Sequence, residues 1–302
     1  MRLFIQRRQK MIGEVAALST ALCWAIAARL FRVLGRSFSP LALNFYKGLV
    51  AIVLLWVITT FFIPGIALPN SAYIWLLLSG VIGIGLGDTF FFQALNKIGD
   101  SQSILVAETL APIFTALMAM AWINEWLTWE QWLGIAIVIF SVDVIVKIQK
   151  KDETQIFVLS GYVFAGLAAL CQAVGAVISR DILTTYTDLD AFNASQIRLI
   201  GGMAIIVILM LVMRQNWKPK TENVVKTWQL FAAATVLGTV AALYLQMLAF
   251  QHTKAAIVQT LFATSVVLSL GVALVLGEKV SKKTALWSVT ALIGVSVLVF
   301  AE

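Results

Sequence analysis

Gly13–Ala28 reads GEVAALSTALCWAIAA, and 148 positions later Gly161–Ala176 reads GYVFAGLAALCQAVGA, so that Leu22-Cys23 falls on Leu170-Cys171. The match continues at an offset of 151, where Asn44 and Lys47 meet Ser195 and Arg198, Gly87 meets Gly238, and Glu108-Thr109-Leu110 meets Gln259-Thr260-Leu261. Glu125 and Glu278 align at 153, which requires a two-residue adjustment between them and the preceding matches. Any one correspondence can arise by chance, but an ordered series of them is an internal duplication.

The duplicated material is apolar. The 302 residues are 61% hydrophobic and 12% charged, with a mean hydropathy of +0.93, outside the range of soluble domains. Ten spans can be drawn, at Met11–Ala28, Leu41–Phe62, Ala72–Leu95, Ser101–Ile123, Gln131–Ile148, Ile156–Ser179, Ala191–Met213, Thr227–Phe250, Ala255–Leu276 and Thr284–Phe300. Nearly all have the length a helix needs to cross about 30 Å of hydrocarbon. Alternating ten-residue strands are absent, which argues against a barrel. The polar break at Lys150–Gln155 divides the spans five and five, giving units 1–149 and 150–302. The expected fold is therefore an all-α integral membrane protein with ten transmembrane helices as two inverted five-helix repeats, inverted because an odd number of crossings precedes the second copy. That architecture places a binding site near the midplane between the halves and points to alternating access.

The net charge of +7 resides in short loops with no basic stripe, so it reads as a topology signal rather than a nucleic-acid surface. Two cysteines and one histidine leave too few ligands for a metal cluster, no cofactor is expected, and a disulfide framework is not expected either. The start, MRLFIQRRQK, has the character of a signal-peptide n-region, but Glu14 and Trp24 in the following run, and the second copy of that run, argue that it is retained.

Polar residues inside the spans are the candidates for function. Asp88, Gln93 and Glu108 lie in or beside GIGLGDTFFFQALNKIGDSQSILVAETLAP, residues 83–112. Pro112 cannot donate to the Glu108 carbonyl, so a kink is expected beside the carboxylate. Burying a charge at Glu108, roughly 10 Å into its span, costs about 2.5 to 3.5 kcal/mol. The residue is thus a candidate proton carrier or counter-charge for an amine, the bland alternative being a carboxyl bonded to a neighbouring helix. Ser79, Gly83 and Gly87 recur every four residues and read as close helix packing, not a phosphate loop. Asn44 with Lys47, and Ser195 with Arg198, share helical faces that either line a cavity and meet an anionic group or snorkel to the interface; Arg198 has a further alternative in pairing with Glu108. Gln93, Tyr244, Gln246 and Gln259 face a cavity or bond neighbouring helices. Trp24, opposite Gln172 in the second copy, lines the cavity or packs in the core. Trp122, Trp126, Trp129 and Trp132 form an interfacial belt. Asp143 and Lys147 form an i, i+4 pair.

Ten spans in two fives, with GLGDTFFFQAL (Gly85–Leu95), LAPIFTALMAMAWINEWLTWEQWLG (Leu110–Gly134) and FATSVVLSLGVALVLGEKVS (Phe262–Ser281), resemble the EamA-type proteins of the drug/metabolite transporter superfamily. The resemblance covers essentially the whole chain and implies a secondary transporter, often an exporter of amino acids or other small metabolites. The second copy departs from the first in carrying Ala263 or Ser265, depending on register, where the first has Pro112. A cavity holding Glu108, Asp88, Lys47, Arg198 and glutamines suits a solute with both charges better than a bare ion. The expected partners are a small-molecule solute, the lipid bilayer of an inner or plasma membrane, and protons as a candidate coupling ion, with no nucleic acid. Lys and Arg are richer in the loops after odd-numbered spans, which favours termini outside the cytoplasm, whereas the resemblance implies both inside. No HExxH, GxSxG or paired-aspartate motif supports an intramembrane enzyme; a non-transporting receptor or assembly protein is the other alternative.

Overall fold

A computed structural model of the chain describes residues 2–35, 37–65, 68–149, 158–212, 217, 220 and 223–301. The break at Lys150–Gln155 and the expected start of the sixth span at Ile156 lie outside them. Every regular element described is helical: α1 (Arg2–Leu34), α2 (Pro40–Phe62), α3 (Asn70–Gly80), α4 (Gly87–Ile123), α5 (Trp129–Gln149), α6 (Leu159–Thr185), α7 (Ala191–Val212), α8 (Val224–Thr235), α9 (Ala242–His252), α10 (Ala255–Ala263), α11 (Ser265–Val275) and α12 (Lys282–Phe300). They supply ten helices long and apolar enough to cross a membrane. Odd-numbered spans start on one face of the protein, the near face, and even-numbered spans start on the opposite, far face.

Local sequence explains where helices start and how they bend. Ser39, Asn223 and Ser281 accept from the backbone N–H groups of Ala42, Lys226 and Thr284 at 3.3, 3.0 and 3.1 Å, capping α2, α8 and α12. Gly99, at φ 76°, divides α4 into the end of the third span and the whole of the fourth. The third span of each half contains one π-helical segment, Val81–Leu86 joining α3 to α4 and Val236–Ala241 joining α8 to α9, the kind of irregularity that gathers at functional sites. The fourth span of each half ends on a left-handed residue, Asn124 at φ 55° or Gly277 at φ 79°. These two align at the offset of 153 and directly precede Glu125 and Glu278.

The fourth-span unit is interrupted in the half that lacks the proline. α4 runs through Pro112 as helix, while the ninth span breaks at Thr264, between α10 and α11. The repeat offset changes from 151 to 153 between Leu261 and Gly277. Two extra residues would rotate everything beyond them by about 200° on a continuous helix, and the break at Thr264 lies where that mismatch must be absorbed. Two spans also outrun their expected ends, the first to Leu34 and the sixth to Thr185, because Arg29 and Arg180 near those ends find acidic partners instead of terminating the helix.

Packing follows the duplication. The fifth span packs on the tenth and the second on the seventh, each against its own counterpart, while α1 lies along α8 to α11 and α6 along α3 and α4. The first helix of each half is thus embedded in the third and fourth spans of the other. Small residues permit the close approach that helix association in lipid relies on: Ala17, Ala21, Ala51, Ala116, Ala168, Ala173 and Ala256 are among the fully buried positions. The third and seventh spans touch backbone to backbone, since a Cβ on Gly80 would overlap the Arg198 carbonyl and one on Gly201 the Leu77 carbonyl. Large apolar side chains such as Trp56, Phe61, Ile74, Phe140, Leu211 and Val275 stay exposed on the outside, as a lipid-facing belt requires.

Candidate functional site

A cavity of about 300 Å³ lies between the halves. Four repeat-related pairs line it: Trp24 with Gln172, Lys47 with Arg198, Asp88 with Thr239, and Glu108 with Gln259. Gln246 joins them, and Phe91, Leu243, Phe250 and Phe262 supply apolar wall. Both π-helical segments reach the cavity, through Gly83 and Ile84 on one side and Gly238 and Thr239 on the other.

Arg198 is the most constrained of the charged groups. It is 4% exposed, and its Nη1 donates to Gln246 Oε1 at 3.3 Å. The guanidinium sits in a slot made by glycines: a Cβ on Gly83 would stand 2.9 Å from Nη2, and one on Gly175 3.2 Å. The stripe read in the sequence as a packing surface therefore also makes room for a cation. Lys47 lies 5.5 Å from the centre of the Phe31 ring, a cation–π distance. Asp88 feels the charges of Lys47 and Arg198, while Glu108 has no ion pair among the described residues. Asp88 likewise has no ion pair among the described residues.

Seven of the residues singled out in the sequence line the cavity together: Trp24, Lys47, Asp88, Glu108, Arg198, Gln246 and Gln259. Asn44, Gln93, Tyr244 and Pro112 do not. Tyr244 stacks on Phe192 with ring centroids 3.9 Å apart, because Leu243, Gln246 and Phe250 take the cavity face of α9 and Tyr244 falls about 100° round from the first of them. Gln93 is rotated away from Asp88 and Phe91 for the same reason. Asn44 is buried, with Nδ2 lacking a partner. Gln172 and Thr239 are the polar lining residues that sequence reading passed over, although both were visible as counterparts of Trp24 and Asp88.

Beyond the cavity, each half reaches across to the other through an ion pair. Glu125 accepts from Arg180 Nε at 2.7 Å and, with its other oxygen, from the Ala255 N–H at 2.9 Å. Arg180 Nη1 donates to the carbonyls of Phe250 and Gln251 at 2.6 and 2.9 Å. The two side chains are 13% and 14% exposed, and Lys254 Nζ adds bonds to Trp126 O and Gln131 Oε1. On the far face Arg29 donates to both oxygens of Glu278 at 2.7 and 3.2 Å. Here exposures are 29% and 57%, and the hydrogen bonds from Arg29 hold the Glu278 carboxyl below the usual carboxylate range. The near face is also the better sealed. Every residue of α10 is buried, whereas among its counterparts at 104–112 only Leu105, Ala107, Ala111 and Pro112 are, and Glu108 to Leu110 are half-buried.

Comparison with known proteins agrees with this architecture. A solved crystal structure with 17% identity superposes over 96% of this chain and 99% of its own, at a TM-score of 0.80, a likeness of fold alone. An uncharacterized transporter from Archaeoglobus fulgidus is 25% identical over 174 residues, 58% of this chain, so the chain spans 60% of that relative's length. The profile of the EamA-like transporter family matches twice, over residues 11–147 and 159–300. Nearly all of the chain is accounted for by those two matches, one on each five-span half, and it belongs to the EamA-like transporter family.

Proposed function

We propose that this protein is a secondary transporter, an exporter or permease in an inner or plasma membrane, that moves a small organic metabolite such as an amino acid by alternating access. Its two working units are residues 1–149 and 150–302. The observation that carries this reading is the convergence of four repeat-related pairs on one cavity, where an inverted duplication sets its binding site. The mixed lining, apolar rings with charges of both signs, suits an amphipathic solute that carries both charges.

The crossed ion pairs supply the gates. Each joins the end of a fourth-span unit in one half to the first helix of the other, and the two stand on opposite faces. Parting the near-face pair while keeping the far-face pair admits solute from one side, and the converse admits it from the other. Counterflow of labelled amino acids into proteoliposomes tests the proposal: a saturable exchange is expected for at least one zwitterion, and a protein that binds such a solute but never exchanges it is not a transporter.

Glu108 is the proposed proton site. It shares the cavity with Asp88, Lys47 and Arg198 but is not ion-paired with them, so a proton can be gained or lost there without breaking an ion pair. An imposed pH gradient is expected to accelerate wild-type flux several-fold and to leave Glu108→Gln unaffected. An unchanged gradient response in that variant removes protons at Glu108 from the cycle.

A further inference from the structure

Two hydrogen-bond donors in the cavity wall have nothing to donate to. Arg198 uses Nη1 on Gln246, but its buried Nε meets no acceptor. Thr239, 5% exposed, likewise leaves its buried Oγ1 unpartnered. The absence at Thr239 is shared with Thr109, Ser141 and Thr235, of which only Thr239 lines the cavity. Thr20, Thr89, Thr115 and Thr260 all donate to the carbonyl four residues back, the usual way a helical threonine satisfies itself. Thr239 lies within a π-helical segment. A buried donor with no acceptor is costly, and both Arg198 and Thr239 line the cavity.

The charge beside these donors gives an acceptor its sign. Arg198 is the cation at the near-face end, since Lys47 stands six residues into the second span from the far face, at the depth of Glu108. Glu108 stands across the cavity from Arg198. Arg198 is seven residues into the seventh span from the near face, and Glu108 six residues into the fourth from the far face. Each is therefore about 10 Å deep from opposite sides, and a solute between them has its negative end toward the near face.

We propose that Arg198 Nε and Thr239 Oγ1 form a seat for the carboxylate of the transported solute, with Glu108 receiving the ammonium group at the other end. The proposal rests on the cavity being the transport site and adds Thr239 as a specificity-determining residue. A guanidinium N–H and a hydroxyl match the two oxygens of a carboxylate, and the guanidinium charge matches a monoanion.

Thermal unfolding of the purified protein with L-leucine, L-leucinamide and N-acetyl-L-leucine as probes tests it. L-leucine is expected to raise the unfolding temperature saturably, and leucinamide, which lacks the carboxylate, to leave it unchanged. Thr239→Val, which keeps the shape and loses the hydroxyl, is expected to weaken leucine binding about tenfold, the loss of one bond to a charged acceptor, with Thr239→Ser restoring it. Glu108→Gln is expected to erase the preference for leucine over N-acetyl-leucine while both still bind. The seat is overturned if leucinamide binds as well as leucine, if Thr239→Val binds leucine normally, or if neither carboxylate binds. Leucine that binds in this pattern but does not exchange in proteoliposomes overturns the transport reading and leaves the seat in place.

Discussion

Removing the Arg180 side chain by Arg180→Ala is expected to destabilise the protein by about 3 kcal/mol, the lower end of the cost of breaking a buried pair, while Arg29→Ala leaves unfolding almost unchanged. The difference lies in what each arginine leaves behind. Without Arg180, the Glu125 carboxylate keeps only the Ala255 N–H, and the carbonyls of Phe250 and Gln251 lose the donor that joined them to the sixth span. Without Arg29, the Glu278 carboxylate turns to water. Thermal unfolding of both variants checks the contrast, and equal shifts would remove the distinction between a buried and an exposed gate. The charge-swapped pair Glu125→Arg with Arg180→Glu is expected to recover only part of the loss, because a carboxylate at 180 cannot donate to the two carbonyls.

Gly80→Ala is expected to be the most damaging single-methyl change in the protein. The added Cβ would overlap the Arg198 carbonyl oxygen and stand 2.7 Å from its carbon and 3.0 Å from the Gly202 nitrogen. These are backbone atoms, with no rotamer in which to retreat, so the third and seventh spans must separate. That lifts Arg198 from the slot between Gly83 and Gly175, and the expected result is loss of solute binding together with destabilisation of about 3 kcal/mol, the upper part of the range for overpacking. Gly271→Ala is the control: nothing lies within 4 Å of its Cβ position, and an alanine there stabilises helix α11 by about 0.5–1 kcal/mol. Unfolding temperatures and leucine binding of the two variants check both halves of the expectation.

Much of this architecture was legible because membrane spans are written in composition. Apolar runs of the right length gave ten helices, and the matched pairs gave the site its membership, since counterparts such as Lys47 and Arg198 converge on one cavity. The sequence was less informative about direction around each helix. Polarity placed Tyr244 and Gln93 away from lipid but left open whether each finds a cavity or a neighbouring helix. Thr239 was passed over for the opposite reason: aligned with Asp88, it looked like the absence of an acid, whereas its significance lies in an unpartnered hydroxyl on a cavity-lining residue. A kink was expected at Pro112, which α4 passes through as helix, whereas the interruption at Thr264 was signalled only by the change of repeat offset. The crossed ion pairs were half visible, as two aligned glutamates, but their arginine partners lie in the other half and only folding brings them together.

The unequal burial of those pairs makes their strengths respond differently to ionic strength. At about 0.15 M salt the Debye length is roughly 8 Å, so added electrolyte weakens the solvent-exposed Arg29–Glu278 contact while the enclosed Glu125–Arg180 contact keeps its strength. Raising salt therefore loosens the far face alone. Two ion pairs descended from one duplicated unit thus come to differ in the way the surrounding medium reaches them, and under the proposed gating a plain change of electrolyte is expected to shift the unloaded protein toward one side of the membrane before any solute arrives.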